Sequence, residues 1–473
     1  MPFLTLEDPN AKIKGSRDPL GIMPIWVAFG RHVITNITTV STSVRGFTIV
    51  LLARYFAGRL IEERTVPREE ALNIFLRMEQ AAAYARHVEH GVDDDIRGIE
   101  RVKRLFQEGK GKVPIRADRR GLILSDQKVY GLWGLYSLSA RRSGWLTDEM
   151  FGLTPVAQKF VEENYIARLD GSLRPIMRLV ARGGTLDTRK KDPAFVGLAR
   201  LLPQRLTTNE LRFYGHYLRD GLGTPATPLE GQSATPGEGL PETHRDVPPN
   251  AQPQDPPDEQ SIKPPAETRP TTSSAGRQAR FRRLLETHSD LETLLSRAET
   301  LTLARAAADT DEGLVKALTR IVHLEALLAP AAALFEFVLT RSNQQPEQAA
   351  AALRERWGER VPNLDAHAFE DLIPEIGDIA SKPVSATARR CHHALAQGDY
   401  EVAIRAVIDW NAKVQQARKG APWVVLTEGG QIEVRYRVIE QLLPESDELP
   451  TLWRNSYFID ALKSITKQLQ GES

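Results

Sequence analysis

Apolar side chains recur at three- and four-residue spacing along most of the chain, the pattern that turns one helix face toward a core. Ile25 to Ile34 and Thr42 to Ile61 carry it first. Pro67, followed by Arg68, Glu69 and Glu70, predicts a helix running toward Val88, because proline fits the first turn and acids there meet exposed amides. Asp93, Asp94 and Asp95 precede a further helix, Ile96 to Gln107. Gln127 to Ser143 and Val156 to Asn164 follow, the second with Thr154 as N-cap and Pro155 in the first turn. Beyond the middle of the chain the helical period returns at Arg280 to Asp309, Asp311 to Arg341, Glu347 to Gly358, Ala386 to Ala396 and Asp399 to Gln416. A last helix is expected from Trp453 to Leu469, with Trp453, Tyr457 and Leu462 on one stripe.

Two places break this period toward strands. Pro422 to Thr427 and Ile432 to Arg437 flank Glu428-Gly429-Gly430-Gln431, whose glycine pair supplies the positive φ of a tight turn, so a β-hairpin is predicted over 422–437. The aromatic stripe near Trp453 is expected to pack on the Trp423 and Val425 face of that hairpin. Ile115 and Leu122-Ile123-Leu124 read as short strands around Asp118 to Gly121. Residues 221–276 show no period at all. They hold 12 of the 30 prolines and no aromatic residue, so they cannot bury enough apolar surface to offset ordering and are expected to be a disordered linker. The expected architecture is mainly α: a helical domain over 1–220, the linker, and a helical domain with one β-hairpin over 277–473.

Charge divides the same way. Residues 1–220 carry 35 Lys and Arg against 25 Asp and Glu, residues 221–276 carry 3 against 8, and residues 277–473 carry 24 against 28. A basic front joined to a mildly acidic back fits one half that meets a polyanion and another that docks on protein. The single cysteine, Cys391, excludes an internal disulfide and a cysteine-built zinc site, and fits an intracellular protein. The first ten residues carry Glu7 and Asp8 where a secretory signal has basic residues, and the charge-free stretches Pro19 to Gly30 and His32 to Val44 suit no membrane span. A cytoplasmic protein with no membrane contact is expected.

The most informative stretch runs from Val113 to Glu163. Helix, strand, turn, strand and helix, with Gly144-Trp145-Leu146, a polar turn at Thr147 to Glu149, and Leu153-Thr154-Pro155, resemble the winged helix-turn-helix family over about residues 113–165. The resemblance implies a helix lying in the DNA major groove ahead of the wing. By position it assigns DNA contacts to Lys128, Tyr130, Arg141 and Arg142, with Arg119 and Arg120 on the preceding loop. Further phosphate contacts are expected from the turn-rich block holding Lys12, Lys14 and Arg17, and from Arg45 behind the hydroxyl-rich run Thr38 to Ser43. As a whole, the basic front, Pro-rich linker and helical back resemble accessory proteins of prokaryotic anti-phage defence loci.

No catalytic constellation, metal site or cofactor motif stands out. Cys391 with His392 and His393, and His87 with His90, are the only hints of nucleophile or metal chemistry, and neither group supplies three ligands. The expected function is therefore a non-enzymatic DNA-binding accessory subunit with double-stranded DNA and neighbouring gene products as partners. Two alternatives stand beside it: a scaffold subunit that binds only protein, and a nuclease or hydrolase whose residues are assembled by folding.

Overall fold

The computed structural model describes residues 18–147, 151–189, 192–222, 276–365, 367, 369–436 and 443–471. The protein is mainly helical. In chain order the helices are α1 (Ile22–Arg31), α2 (Val44–Glu62), α3 (Ala71–His90), α4 (Ile99–Glu108), α5 (Gln127–Tyr130), α6 (Leu132–Arg142), α7 (Pro155–Asn164), α8 (Leu173–Arg182), α9 (Pro193–Leu201), α10 (Thr208–Tyr214), α11 (Arg277–His288), α12 (Arg297–Ala306), α13 (Glu312–Val338), α14 (Pro346–Trp357), α15 (Ile373–Ile379), α16 (Lys382–Gln397), α17 (Tyr400–Ala417) and α18 (Ile459–Gln470). Strands β1 (Lys112–Ile115) and β2 (Gly184–Asp187) form one antiparallel pair, and β3 (Val424–Leu426) and β4 (Ile432–Val434) the expected hairpin. The expected linker, apart from its ends, lies outside the described residues, as do Lys12, Lys14 and Arg17.

Two compact units result, and each is assembled from separated stretches. One comprises Met1–Val33 and Leu294–Tyr457, the other Ile34–Thr293 and Phe458–Ser473. These units differ from a division at residues 221–276, and side chains at both ends of the chain account for the exchange. Asn411 on α17 donates to the carbonyl of Pro19 at 2.8 Å, and Asp18 caps α1 through the amide of Ile22 at 2.8 Å, which ties the first helix to the later unit. Gln468 on α18 donates to the carbonyl of Thr42 at 2.7 Å and accepts from the amide of Val44 at 2.9 Å, which ties the last helix to the start of α2.

In the later unit α13 is the central helix, with 17 of its 27 residues buried. It is long and apolar enough to cross a membrane by length and composition, yet 78% of its most apolar window is covered by protein. Pro330 sits inside it and has no N–H for the carbonyl of Ala326, one turn earlier. His392 of α16 donates its Nε2 proton to that carbonyl at 3.2 Å. Burial holds the imidazole neutral, with its pKa down to about 4. Buried Glu325 similarly accepts from the amides of Arg454 (2.5 Å) and Asn455 (3.1 Å) and from the Tyr457 hydroxyl (2.5 Å). This knot holds residues 454–457 out of helix, so α18 begins at Ile459 where a start at Trp453 was expected. The aromatic stripe is also placed differently: Tyr457 packs edge-on against Trp26 of α1, while Trp423 stacks on Tyr436.

The earlier unit is built on α2 and α3, which pack on each other; α2 buries 15 of its 19 residues and α3 buries 13 of its 20. α6, α7 and α8 cover α2, and α8, α9, α4 and β1 cover α3. Ser43 caps α2 by accepting from the amide of Gly46 at 3.0 Å. The strand partner of β1 is not Leu122 to Leu124. It is β2, in a register that sets Lys112 opposite Asp187 and Ile115 opposite Gly184. Buried glutamines explain why: Gln80 accepts from the amide of Arg116 and donates to its carbonyl, and Gln127 accepts from the amide of Ile123, taking the backbone groups a second strand would need.

The His392 role is testable by a double-mutant cycle. His392→Ala is expected to cost about 1–3 kcal/mol, the range for stranding a buried polar group. With Pro330→Ala the new amide takes over the Ala326 carbonyl, so in that background the penalty should shrink; equal penalties in both backgrounds would refute the assignment.

Candidate nucleic-acid interface

The residues assigned to DNA by resemblance are dispersed. Gln127 to Ser143 is two helices, α5 and α6, separated at Gly131, whose backbone is extended (φ −86, ψ −173). The break follows from Glu79. This buried α3 carboxylate accepts from the amide of Leu132 at 2.8 Å and from the Gln127 side chain at 2.8 Å, capping α6 from another helix. A Cβ at position 131 would sit 2.8 Å from the same carboxylate, so glycine is required there. Lys128 and Tyr130 are exposed on α5, whereas Arg141 and Arg142 are half-buried at the end of α6.

α6 itself is a packing helix. Leu132, Leu135, Tyr136, Ser139 and Ala140 are buried, and Trp133 lies under the Arg54 guanidinium at 3.9 Å. Leu146 and Leu153 form a single antiparallel bridge, with residues 148–150 of the expected wing outside the described residues. The Thr154 hydroxyl donates to the carbonyl of Gly144 at 2.8 Å and does not cap α7. Among the described residues of 113–165 the Leu146–Leu153 bridge is the strand pairing that forms, and β1, expected to pair with Leu122 to Leu124, is paired instead with β2 outside the segment.

Arg45 corrects a further expectation. It is buried, forms an ion pair with buried Glu210 and donates to the carbonyl of Arg205 at 2.7 Å. Glu210 also accepts from the Tyr165 hydroxyl at 2.7 Å, so this cation is committed to a core network and not to a phosphate. Arg119 and Arg120, in contrast, are exposed, on a loop held by Asp118, which accepts from the amide of Arg120 at 2.9 Å.

A row of exposed cations lies on a helix that was not assigned from sequence. In α8, Ile176, Leu179, Val180 and Ala181 are buried, and Arg174, Arg178 and Arg182 are exposed at four-residue spacing. Among the described residues none of these three forms an ion pair or a side-chain hydrogen bond. At 1.5 Å per residue the row is about 12 Å long. Arg182 leads through Gly183 into β2, and because Gly184 pairs with Ile115, Arg182 and Arg116 flank the same end of the ribbon. At its other end are exposed Lys112 and Arg189, whose side chain lies over Gly111. Segments 110–120 and 173–189 together hold nine Lys and Arg and two acids, Asp118 and Asp187.

Other candidates are less suited to a phosphate. A cleft of about 380 Å³ is lined by Arg54, Arg59, Glu62, Glu63 and Glu162 among others, and its acids outnumber its cations. His87 and His90 diverge, the first to Asp93 at 2.7 Å and the second to the carbonyl of Ala199 at 3.1 Å. Cys391 is buried, which raises its thiol pKa to about 12 and removes the thiolate a nucleophile needs. No protein family, curated protein or solved structure matches this chain.

Glu79 makes a pH prediction. Burial raises its pKa from 4.5 to about 7, against the pull of its hydrogen bonds to Gln127 and Leu132. The folded state therefore holds a proton that the unfolded state has released, and stability falls as pH rises from about 4.5 to about 7, by about 3 kcal/mol. Glu79→Gln should remove this component, so the stability difference between variant and native protein should change across that window; a constant difference would contradict it.

Proposed function

We propose that the unit built on Ile34–Thr293 binds double-stranded DNA through its phosphates, along α8 and the adjoining β1–β2 ribbon. One observation carries this: the row of Arg174, Arg178 and Arg182, exposed and without acidic partners among the described residues, on a helix anchored by its opposite face. Guanidinium groups present forked donors that match phosphate oxygens. A row of about 12 Å spans three to four base-pair steps of about 3.4 Å. Arg119 and Arg120 remain within this surface as contacts from the loop after β1. Backbone contacts of this kind position a protein on a duplex without reading sequence, which suits an accessory subunit whose specificity comes from elsewhere. The setting in anti-phage defence, and the docking of protein partners by the later unit, are supported by the resemblance of the whole chain and by its charge division.

Fluorescence anisotropy with a short labelled duplex tests the proposal. Combining Arg174→Gln, Arg178→Gln and Arg182→Gln should flatten the log–log salt slope by about 2–3 and weaken binding at about 50 mM salt by one to two orders of magnitude. The melting temperature should stay unchanged, since the three side chains are exposed. Native affinity in the triple variant, or loss of binding only on Arg141→Ala with Arg142→Ala, would overturn this placement.

A further inference from the structure

We propose that His367, Glu370 and His393, in the later unit, form a binding site for a divalent transition-metal ion of the zinc class. One ligand atom from each, two imidazole nitrogens and a carboxylate oxygen, lie within 4.8 Å of one another. A tight turn brings the first two together, for the amide of Glu370 donates to the carbonyl of His367 at 3.1 Å. Asp365 steadies that turn by accepting from the amide of His367 at 2.8 Å. His393 comes from α16, its Nε2 2.7 Å from Glu370 Oε1, and its ring meets His367 edge-on with centroids 5.5 Å apart.

Neighbouring contacts decide which histidine can serve. His392 is drawn inward by the Ala326 carbonyl and packs against Phe369, and one residue along the helix His393 is thereby turned outward to Glu370. The site is thus built on the same contact that repairs the Pro330 gap in α13. Arg389 also donates to Glu370 Oε1, at 2.8 Å, while Oε2 accepts no hydrogen bond among the described residues and can ligate an ion with the Arg389 contact intact.

Two imidazoles and one carboxylate are a donor set favoured by zinc and its first-row neighbours over magnesium or calcium, which take mainly oxygen. Ligand atoms around tetrahedral zinc lie about 3.3 Å apart, for bonds of about 2.0–2.1 Å, so from a spacing within 4.8 Å His367 must close by at most about 1.5 Å. It is exposed and on a turn, which leaves it room to do so. Three protein ligands leave a fourth coordination position open to water or an anionic group.

The test uses the full chain, stripped with chelator and titrated with cobalt(II), followed by zinc(II) competition. The expected result is one cobalt per chain with the visible absorption of a low-coordinate site, displaced by zinc. His367→Ala should weaken binding by at least about tenfold without changing the melting temperature, and His393→Ala should do the same or more. Substituting exposed His216, in the other unit, should leave binding unchanged. Absence of saturable binding, or equal affinity in His367→Ala and native protein, would overturn the proposal; His367→Ala decides the matter even if His393→Ala proves unstable.

Discussion

Burial of the α2–α3 pair is the constraint from which the earlier unit follows. Two helices of about twenty residues that bury most of their length must be covered on nearly every side, and the covering helices can each offer only one apolar face. α8 meets this demand with Ile176, Leu179 and Val180 inward, which leaves Arg174, Arg178 and Arg182 in water. The arginine row is thus fixed in direction by hydrophobic packing, and the ribbon that extends it is fixed by the β1–β2 register. α6 covers the same core yet is itself buried around Leu135, Tyr136 and Ser139, so it has no comparable outer face to give to a ligand.

A second regularity joins both units. Where the backbone leaves regular structure inside the core, a buried polar side chain takes its loose groups: Glu79 at the start of α6, Glu325 at residues 454–457, Gln80 and Gln127 beside β1, and His392 opposite Pro330. Gln278 does the same for the amide of Thr35 at 3.0 Å and the carbonyl of Leu218 at 2.8 Å. Each satisfies groups that would otherwise cost about 1–3 kcal/mol when buried. These joints also separate function from scaffold, since Arg45 and His392, both attractive as site residues, are spent on the interior.

That division explains what the sequence made legible. Helical periodicity locates α1, α2, α3, α13, α14, α16 and α17 to within a few residues, and the Gly429-Gly430 turn locates the β3–β4 hairpin, because these depend on local pattern. The break at Gly131, the late start of α18 and the pairing of β1 with β2 depend on partners distant in sequence, and no local pattern carries them. The same holds for Arg45, whose partner Glu210 is far along the chain, and for the meeting of His393 with His367 and Glu370. The arginine row is different. Leu173-Arg174-Pro175-Ile176-Met177-Arg178-Leu179-Val180-Ala181-Arg182 shows arginines at every fourth position opposite an apolar stripe, a signal present in the sequence but overshadowed by the winged-helix resemblance upstream.

The central claim is that a duplex lies along α8 and its ribbon, and hydrogen–deuterium exchange of the full chain with and without a short duplex tests it most directly. The account predicts added protection in peptides covering residues 110–120 and 173–189, with α5 and α6 unchanged. Protection centred on Lys128 to Arg142, or none at low salt, would contradict it.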